Sequence, residues 1–210
     1  MTGVQTCALP ILFFPAYAND QDEGKNKTFE LLGGDAYNFK TPLRIEQDGQ
    51  SDLHFDANYH THPFQSPQYF ILRFAKWNGD RGKELELIHD KLFLVNKPVE
   101  VQSFQITHGF NMLMMNQAWK KDGLIYHFGA GPVITHPENE VRNLPFENGY
   151  HLSGAAMQFA VGKQFRISKN LFGTVEAKVT GAYARVPVED GHANVSNLAV
   201  HGVFGIGYRF

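Results

Sequence analysis

The chain has 210 residues, of which 43% are hydrophobic and 13% aromatic, and its formal net charge is -2 at pH 7 with a pI near 6.5. This composition suffices for one domain and excludes a collagen-like or broadly disordered chain. The near-neutral charge provides no basic surface to neutralise a phosphate backbone, so nucleic acid is not an expected partner.

The N-terminus contains two short segments before the chain becomes polar. Residues 1–11, MTGVQTCALPI, resemble a translated sequencing adapter, and Cys7, the only cysteine, would then be foreign to the natural protein. Residues 12–18 form an apolar run that ends in the small-x-small pattern cleaved by signal peptidase. We therefore predict the remnant of a secretory signal peptide and a mature N-terminus at Asn19.

The segment 19–50 has mixed features. It begins with polar residues, and its two short stretches with apolar residues, Phe29-Glu30-Leu31-Leu32 and Leu43-Arg44-Ile45, are separated by a glycine pair and by Pro42. Either a periplasmic lead-in or an added hairpin, which would make ten strands in all, agrees with this pattern. The spacing of the later segments favours eight strands.

From residue 51 to the C-terminus, apolar and polar residues alternate with a period of two, which is typical of strands with two different faces. No later segment contains the roughly twenty consecutive apolar residues of a transmembrane helix. In the last strand, the apolar face carries Phe204, Ile206 and Tyr208, and the opposite face carries Gly205, Gly207 and Arg209. The predicted strands are 52–62, 67–77, 82–94, 102–119, 123–135, 150–167, 171–187 and 195–210.

The lengths and connections of these segments favour a membrane barrel. Most segments reach the roughly 9 to 11 residues that a tilted strand needs to cross a bilayer. Short connections alternate with longer ones along the chain, as expected when the short turns all lie on the periplasmic side. We therefore predict an all-β, eight-stranded, antiparallel, up-and-down transmembrane β-barrel over residues 51–210, with both termini in the periplasm.

Aromatic residues are predicted to form two interfacial bands, because amphipathic rings prefer the boundary between lipid and water. The band at the short-turn end includes Trp77, Trp119, Phe165 and Phe210. The band at the opposite end includes Tyr59, Tyr69, Phe70, Phe93, Phe104 and Tyr183.

The chain ends in Tyr208-Arg209-Phe210, which resembles the C-terminal signature that the barrel assembly machinery recognises in outer-membrane barrels. Together with the signal peptide and the eight strands, the chain resembles the small Gram-negative outer-membrane β-barrels, a group that contains OmpA-type, OmpW-type and PagP-like proteins. This resemblance implies a porin-like architecture in the outer membrane and contact with lipid and lipopolysaccharide. It implies location more firmly than activity.

Several charged residues are predicted to point into the barrel. Side chains can fill the interior of an eight-stranded barrel, and buried ions must be paired to be tolerated. We therefore expect a salt-bridged plug, with a polar conduit or an active site as the alternatives. The predicted inward set is Asp56, Arg73, Glu84, Glu86, Glu176, Lys178 and Arg209.

Ten histidines are unusual for a chain of this length. His60 and His62 share a strand face and could bind a metal ion, but a metal site normally needs three or four ligands. His108, His136 or Glu138 could supply the others, although no spacing signature such as HExxH is present. The prediction is no metal and no cofactor, with His60 and His62 as the alternative.

The predicted function is structural. The segment His151-Leu152-Ser153 resembles the His-x-Ser element of the PagL-like lipid A deacylases, and Glu176 or Glu189 would complete a triad. The sequence favours instead a noncatalytic outer-membrane barrel with a structural, surface-interaction or envelope-integrity role. A lipid A-modifying acyl hydrolase or acyltransferase, and a narrow pore for small solutes, are the alternatives.

Overall fold

The structure, a computed structural model, describes residues 25–210, so the adapter-like segment and the expected cleavage site lie outside the described residues. Within that range the regular structure consists of strands, and no helix there is long and apolar enough to cross a membrane. The strands are β1 (Lys27–Asn38), β2 (Thr41–Gln47), β3 (Leu53–Ala57), β4 (Tyr59–His60), β5 (Phe70–Asn78), β6 (Arg81–Leu94), β7 (Val101–Lys121), β8 (Leu124–Thr135), β9 (Glu138–Val141), β10 (Leu144–Glu147), β11 (His151–Arg166), β12 (Leu171–Val188) and β13 (Gly191–Arg209).

Eight of these strands close into a ring. The order is β1, β5, β6, β7, β8, β11, β12 and β13, and each strand is antiparallel to its neighbour. The ring closes because β1 pairs with β13 along one edge and with β5 along the other. The predicted eight-stranded, antiparallel, up-and-down barrel is confirmed.

The first strand of the wall differs from the prediction. Lys27–Asn38 occupies the place that was assigned to residues 52–62, so the wall does not begin at residue 51. The glycine pair that suggested a break lies inside this strand, and a Cβ on Gly34 would come within 2.1 Å of the backbone oxygen of Gly202. Glycine is therefore required at position 34 for close approach to β13, and it does not end the strand.

Residues 41–57 form a hairpin outside the ring. Its first strand, β2, continues the sheet beside the start of β13, and its second strand, β3, pairs only with β2. One face of this projecting hairpin is more buried than the other, and its sequence therefore alternates as that of a wall strand does. For residues 19–50 a lead-in and an added pair of wall strands were both open; instead, residues 27–38 form one wall strand and residues 41–47 form the first strand of this projecting hairpin.

The two ends of the barrel differ in their connections. The end that we call the turn end carries the short connections β5–β6, β7–β8 and β11–β12. It also carries the C-terminus, since the amide of Lys27 donates to the carbonyl oxygen of Phe210 at 3.1 Å. The opposite end, the loop end, carries β4 and the hairpins β2–β3 and β9–β10. Alternate short and long connections were predicted, and three of the four connections at the loop end are longer; the exception is the two-residue turn Glu189-Asp190 between β12 and β13.

Inward side chains form two apolar groups inside the barrel. The larger group, which we call the apolar core, fills the loop-end half and includes Leu32, Ile71, Ile88, Phe110, Met112, Val133 and Val195. The smaller group, which we call the turn-end plug, consists of Ala75, Trp77, Ala118 and Ile125. The interior is therefore filled by side chains at both ends, as expected for eight strands.

Part of the predicted aromatic arrangement is wrong. At the turn end, Trp119 stacks on Tyr126 with ring centroids 5.7 Å apart, and Phe210 lies 6.2 Å from Phe74. Trp77 lies at the same end, but its side chain is only 8% exposed because it occupies one of the alternate positions of β5 that point into the barrel. In the expected second band, Tyr59, Tyr69 and Phe104 are buried in the apolar core and cannot face an interface.

Candidate functional site

Between the turn-end plug and the apolar core, charged side chains form a buried network across the lumen. We call it the polar layer. Its ionisable members come from five wall strands, and all are at most 6% exposed. They are Glu30, Arg73, Glu84, Glu86, His127, Glu176 and Lys178.

Arg73 is the centre of the polar layer. Its Nε donates to Glu86 Oε2 at 2.6 Å, and one terminal nitrogen donates to Glu176 Oε1 at 2.8 Å. Glu30 and Glu84 each lie 3.8 Å from the guanidinium. The planar guanidinium of arginine presents five N–H donors in a fixed geometry, so it can pair with several carboxylates at once.

Lys178 and His127 connect further parts of the layer. Lys178 Nζ donates to Glu86 on the opposite side of the ring, and it lies 3.4 Å from Glu176 Oε1. The ring of His127 lies between two carboxylates, with Nδ1 2.8 Å from Glu84 Oε2 and Nε2 3.3 Å from Glu176 Oε2. An imidazole can donate to both sides only when both nitrogens carry protons.

Neutral side chains extend the network to β7 and β11. Asn116 Nδ2 donates to Glu86 Oε2 at 3.1 Å, and Gln158 donates to Asn116 Oδ1 at 2.7 Å. The hydroxyl of Thr174 donates to Glu30 Oε2 at 2.6 Å. With these contacts the polar layer includes seven of the eight wall strands.

The composition of the polar layer determines what it can do. Four carboxylates surround the side chains of Arg73, Lys178 and His127. Contacts between β5 or β6 and β12 cross the lumen, so they connect walls that the sheet itself does not pair directly. These contacts can brace the barrel from within.

Five of the seven residues predicted to point inward lie in this network: Arg73, Glu84, Glu86, Glu176 and Lys178. Asp56 does not, because it lies exposed on β3, outside the ring. Arg209 has the inward phase but lies at the last position of β13, where its guanidinium covers the ring of Phe172 at 5.7 Å. Its place at the turn end keeps it out of the polar layer.

Five members of the polar layer were not predicted from the sequence: Glu30, Asn116, His127, Gln158 and Thr174. Glu30 was missed because the preferred eight-stranded wall did not include residues 19–50. His127 and Asn116 lie in segments that were correctly assigned to strands, and outward neighbours such as Phe128 and Met115 indicate their inward phase. The alternation of inward and outward positions could have identified both residues. They were missed because only charged residues were selected as inward candidates.

The residues of the alternative catalytic site are not brought together. The hydroxyl of Ser153 lies 2.5 Å from Thr135 Oγ1 and donates to the backbone oxygen of His151, while the imidazole of His151 contacts the backbone oxygen of Asn148. Glu176 is buried in the polar layer. A hydrolytic triad requires the imidazole to accept the proton of the serine, and this contact is absent among the described residues.

The histidines of the alternative metal site form a pair, and the described residues place no third ligand beside them. The rings of His60 and His62 are 5.6 Å apart. In residues 25–210, the one group of three possible metal ligands lies elsewhere at the loop end and consists of His108, His136 and Glu138. Their ligand atoms all lie within 4.8 Å of one another.

Comparison of the sequence with known proteins gives no assignment. No protein-family model matches the chain. A search of curated proteins also finds no match.

Comparison of the structure with solved structures gives matches among outer-membrane proteins. The outer-membrane protein AlkL, solved in DMPC bilayers, matches with a TM-score of 0.54 and 8% identity, over 94% of this chain and 95% of that chain. OprG from Pseudomonas aeruginosa matches with a TM-score of 0.49 and 15% identity, over 89% and 97%. Ail of Yersinia pestis matches with a TM-score of 0.43 and 13% identity, over 89% and 99%. The fold of this chain is that of the outer-membrane β-barrels.

Proposed function

We propose that this chain is an outer-membrane β-barrel of a Gram-negative bacterium, with a structural or surface-interaction role and a lumen that does not conduct. The polar layer carries this proposal, because it crosses the lumen between two apolar groups. Both termini lie in the periplasm, and the loop end faces outward from the cell. Lipid and lipopolysaccharide contact the wall, and the assembly machinery recognises the C-terminal Tyr208-Arg209-Phe210.

The outward face of the wall supports the membrane location. Large apolar side chains are exposed on it in every wall strand, at levels that would be unusual on a soluble barrel. Lys76 and Lys83 lie three residues from the connection at Gly79 and Asp80, and Lys163 Nζ lies 5.7 Å from the ring of Phe165, towards the turn end. Long cationic side chains near a membrane interface extend to water in this way. The exposed residues are Phe29, Leu31, Phe74, Leu85, Met115, Phe128, Met157, Phe159, Val179, Val200, Phe204 and Ile206.

The filling of the lumen supports the structural role. Water and ions moving along the barrel axis would have to pass the apolar core, the polar layer and the turn-end plug. Within the polar layer, the contacts of Arg73 and Lys178 reach across the ring and would have to break. A steady conducting state is therefore not expected, and contacts with other molecules are left to the loop end and the outer wall.

Topology is tested by labelling single cysteines on intact cells with a membrane-impermeant maleimide, in a chain that also carries Cys7→Ser. Asn148→Cys, at the loop end, is expected to react on intact cells. Asp122→Cys, in the turn between β7 and β8, is expected to react only after the outer membrane is permeabilised. The reverse pattern, or equal labelling of both in intact cells, would contradict the proposed orientation.

A further inference from the structure

Two histidines and a glutamate converge at the loop end, outside the polar layer. The Nδ1 atom of His108 contacts Glu138 Oε1, and Nδ1 of His136 lies 3.9 Å from the same oxygen. The two imidazole rings are 4.9 Å apart. His108 is half-exposed, whereas His136 and Glu138 are mostly covered, so the cluster opens to solvent on one side.

The backbone holds these side chains in place. β7 bulges where its pairing with β6 shifts register, and Gly109 in this bulge has φ of +128°, a conformation that favours glycine. The amide of His136 donates to the carbonyl oxygen of Gly109 at 3.1 Å, which fixes the β8–β9 connection beside the bulge. Glu138 begins β9 and His136 directly follows β8, so the cluster joins β7 to the β8–β9 connection and to the β9–β10 hairpin.

One nitrogen atom of the cluster is buried without a hydrogen-bond partner among the described residues. This atom is Nδ1 of His136. Leaving a buried polar nitrogen unpaired costs free energy, and an ion or water that it contacts would relieve this cost. The carboxylate next to it has several lone pairs and one negative charge, so a cation suits the space between them better than a neutral donor does.

Surrounding residues orient the carboxylate and the rings. Thr107 Oγ1 donates to Glu138 Oε1 at 2.6 Å, and Gln105 donates to Oε2 at 3.4 Å. The ring of Tyr150 packs 5.0 Å from that of His136, and its hydroxyl donates to the backbone oxygen of His108. Ligands of metal ions are commonly held by such hydrogen bonds.

We propose that His108, His136 and Glu138 form a binding site for a divalent transition-metal ion, with Zn²⁺ as the reference ion. Two imidazoles and one carboxylate are a zinc ligand set, and three protein ligands leave a coordination position open on the solvent side. Ni²⁺ and Cu²⁺ prefer the same nitrogen ligands, so the identity of the ion inside a cell depends on supply. Binding would join the bulge of β7 to the β8–β9 connection.

The test measures Zn²⁺ binding by isothermal titration calorimetry on the full folded chain in detergent, without a histidine tag and with Cys7→Ser to remove the thiol. One saturable site per chain is expected. His136→Gln and Glu138→Gln are each expected to abolish saturable binding. Thr107→Val is expected to lower affinity about tenfold, because it removes a hydrogen bond that orients a ligand. The absorption spectrum of bound Co²⁺ should change in the same variants.

The matched control is His60→Gln, which alters the exposed His60–His62 pair and is expected to leave Zn²⁺ affinity unchanged. Heat-dependent mobility on gels establishes that each variant is folded. The proposal fails if the parent chain shows no saturable binding, which would leave a simple hydrogen-bonded cluster. It also fails if His136→Gln and Glu138→Gln bind Zn²⁺ as the parent does, or if His60→Gln removes the site.

Discussion

The polar layer and the apolar core occupy the same lumen and are built from the same inward positions, yet they stabilise the barrel in different ways. On β5, Arg73 belongs to the layer and Ile71, two residues away, belongs to the core. In the core, each side chain contributes in proportion to the apolar area that it buries. In the layer, each ion is tolerated only because its partners are present. The two regions should therefore respond very differently to the loss of one side chain.

The largest effect is expected from Arg73→Ala. This change removes the cation that contacts four buried carboxylates, and an uncompensated buried charge typically costs about 3–5 kcal/mol. The free energy of unfolding is measured by urea titration in lipid vesicles. The control is Arg44→Ala, because Arg44 pairs with Glu46 and Asp52 on the exposed hairpin and no measurable change is expected there. Equal stability losses in the two variants would mean that the layer is not a coupled network.

A substitution on the outer face tests which side chains of β12 face lipid and which face the lumen. The comparison of the polar layer with the apolar core depends on this assignment. Val179 faces outward, and its cross-strand neighbours are Phe159 and Val200. Val179→Arg is expected to cost roughly 2–4 kcal/mol if this position lies near the bilayer midplane, compared with about 0–1 kcal/mol near an interface. The matched variant is Ile167→Arg, at the turn end. If the two arginines have the same effect, the wall around Val179 does not face lipid.

The smallest effect is expected from Ile88→Val, in the apolar core. Ile88 is fully buried, and removing one methyl group from such a site costs about 0.5–1.5 kcal/mol. The same unfolding titration measures it. A loss as large as that of Arg73→Ala would show that the core, like the layer, cannot adjust to a change in a single side chain.

Alternation predicted the wall because every wall strand places lipid and lumen on opposite faces. Their alternate positions along the strands were enough to predict that five charged side chains point into the barrel: Arg73, Glu84, Glu86, Glu176 and Lys178. Alternation could not predict which strands enter the ring, because a projecting hairpin with one covered face has the same period of two. The segment 53–57 was therefore taken for a wall strand, and the strand that carries Glu30 was left out.

The loop end was harder to predict from sequence. The cluster of His108, His136 and Glu138 depends on a bulge in β7 and on the path of the β8–β9 connection. Neither feature has a periodic signal, so the sequence could name these residues as possible ligands but could not bring them together. The His60–His62 pair had the clearer spacing in sequence and lacks a third ligand within 25–210.

Single-channel recording in planar bilayers tests the central claim most directly. If the apolar core, the polar layer and the turn-end plug together fill the lumen, the folded chain will insert without a steady conductance across a wide range of voltages and salt concentrations. A large and reproducible open state in the parent chain would contradict the account, because ions could cross only if the contacts of Arg73 and Lys178 across the lumen were broken.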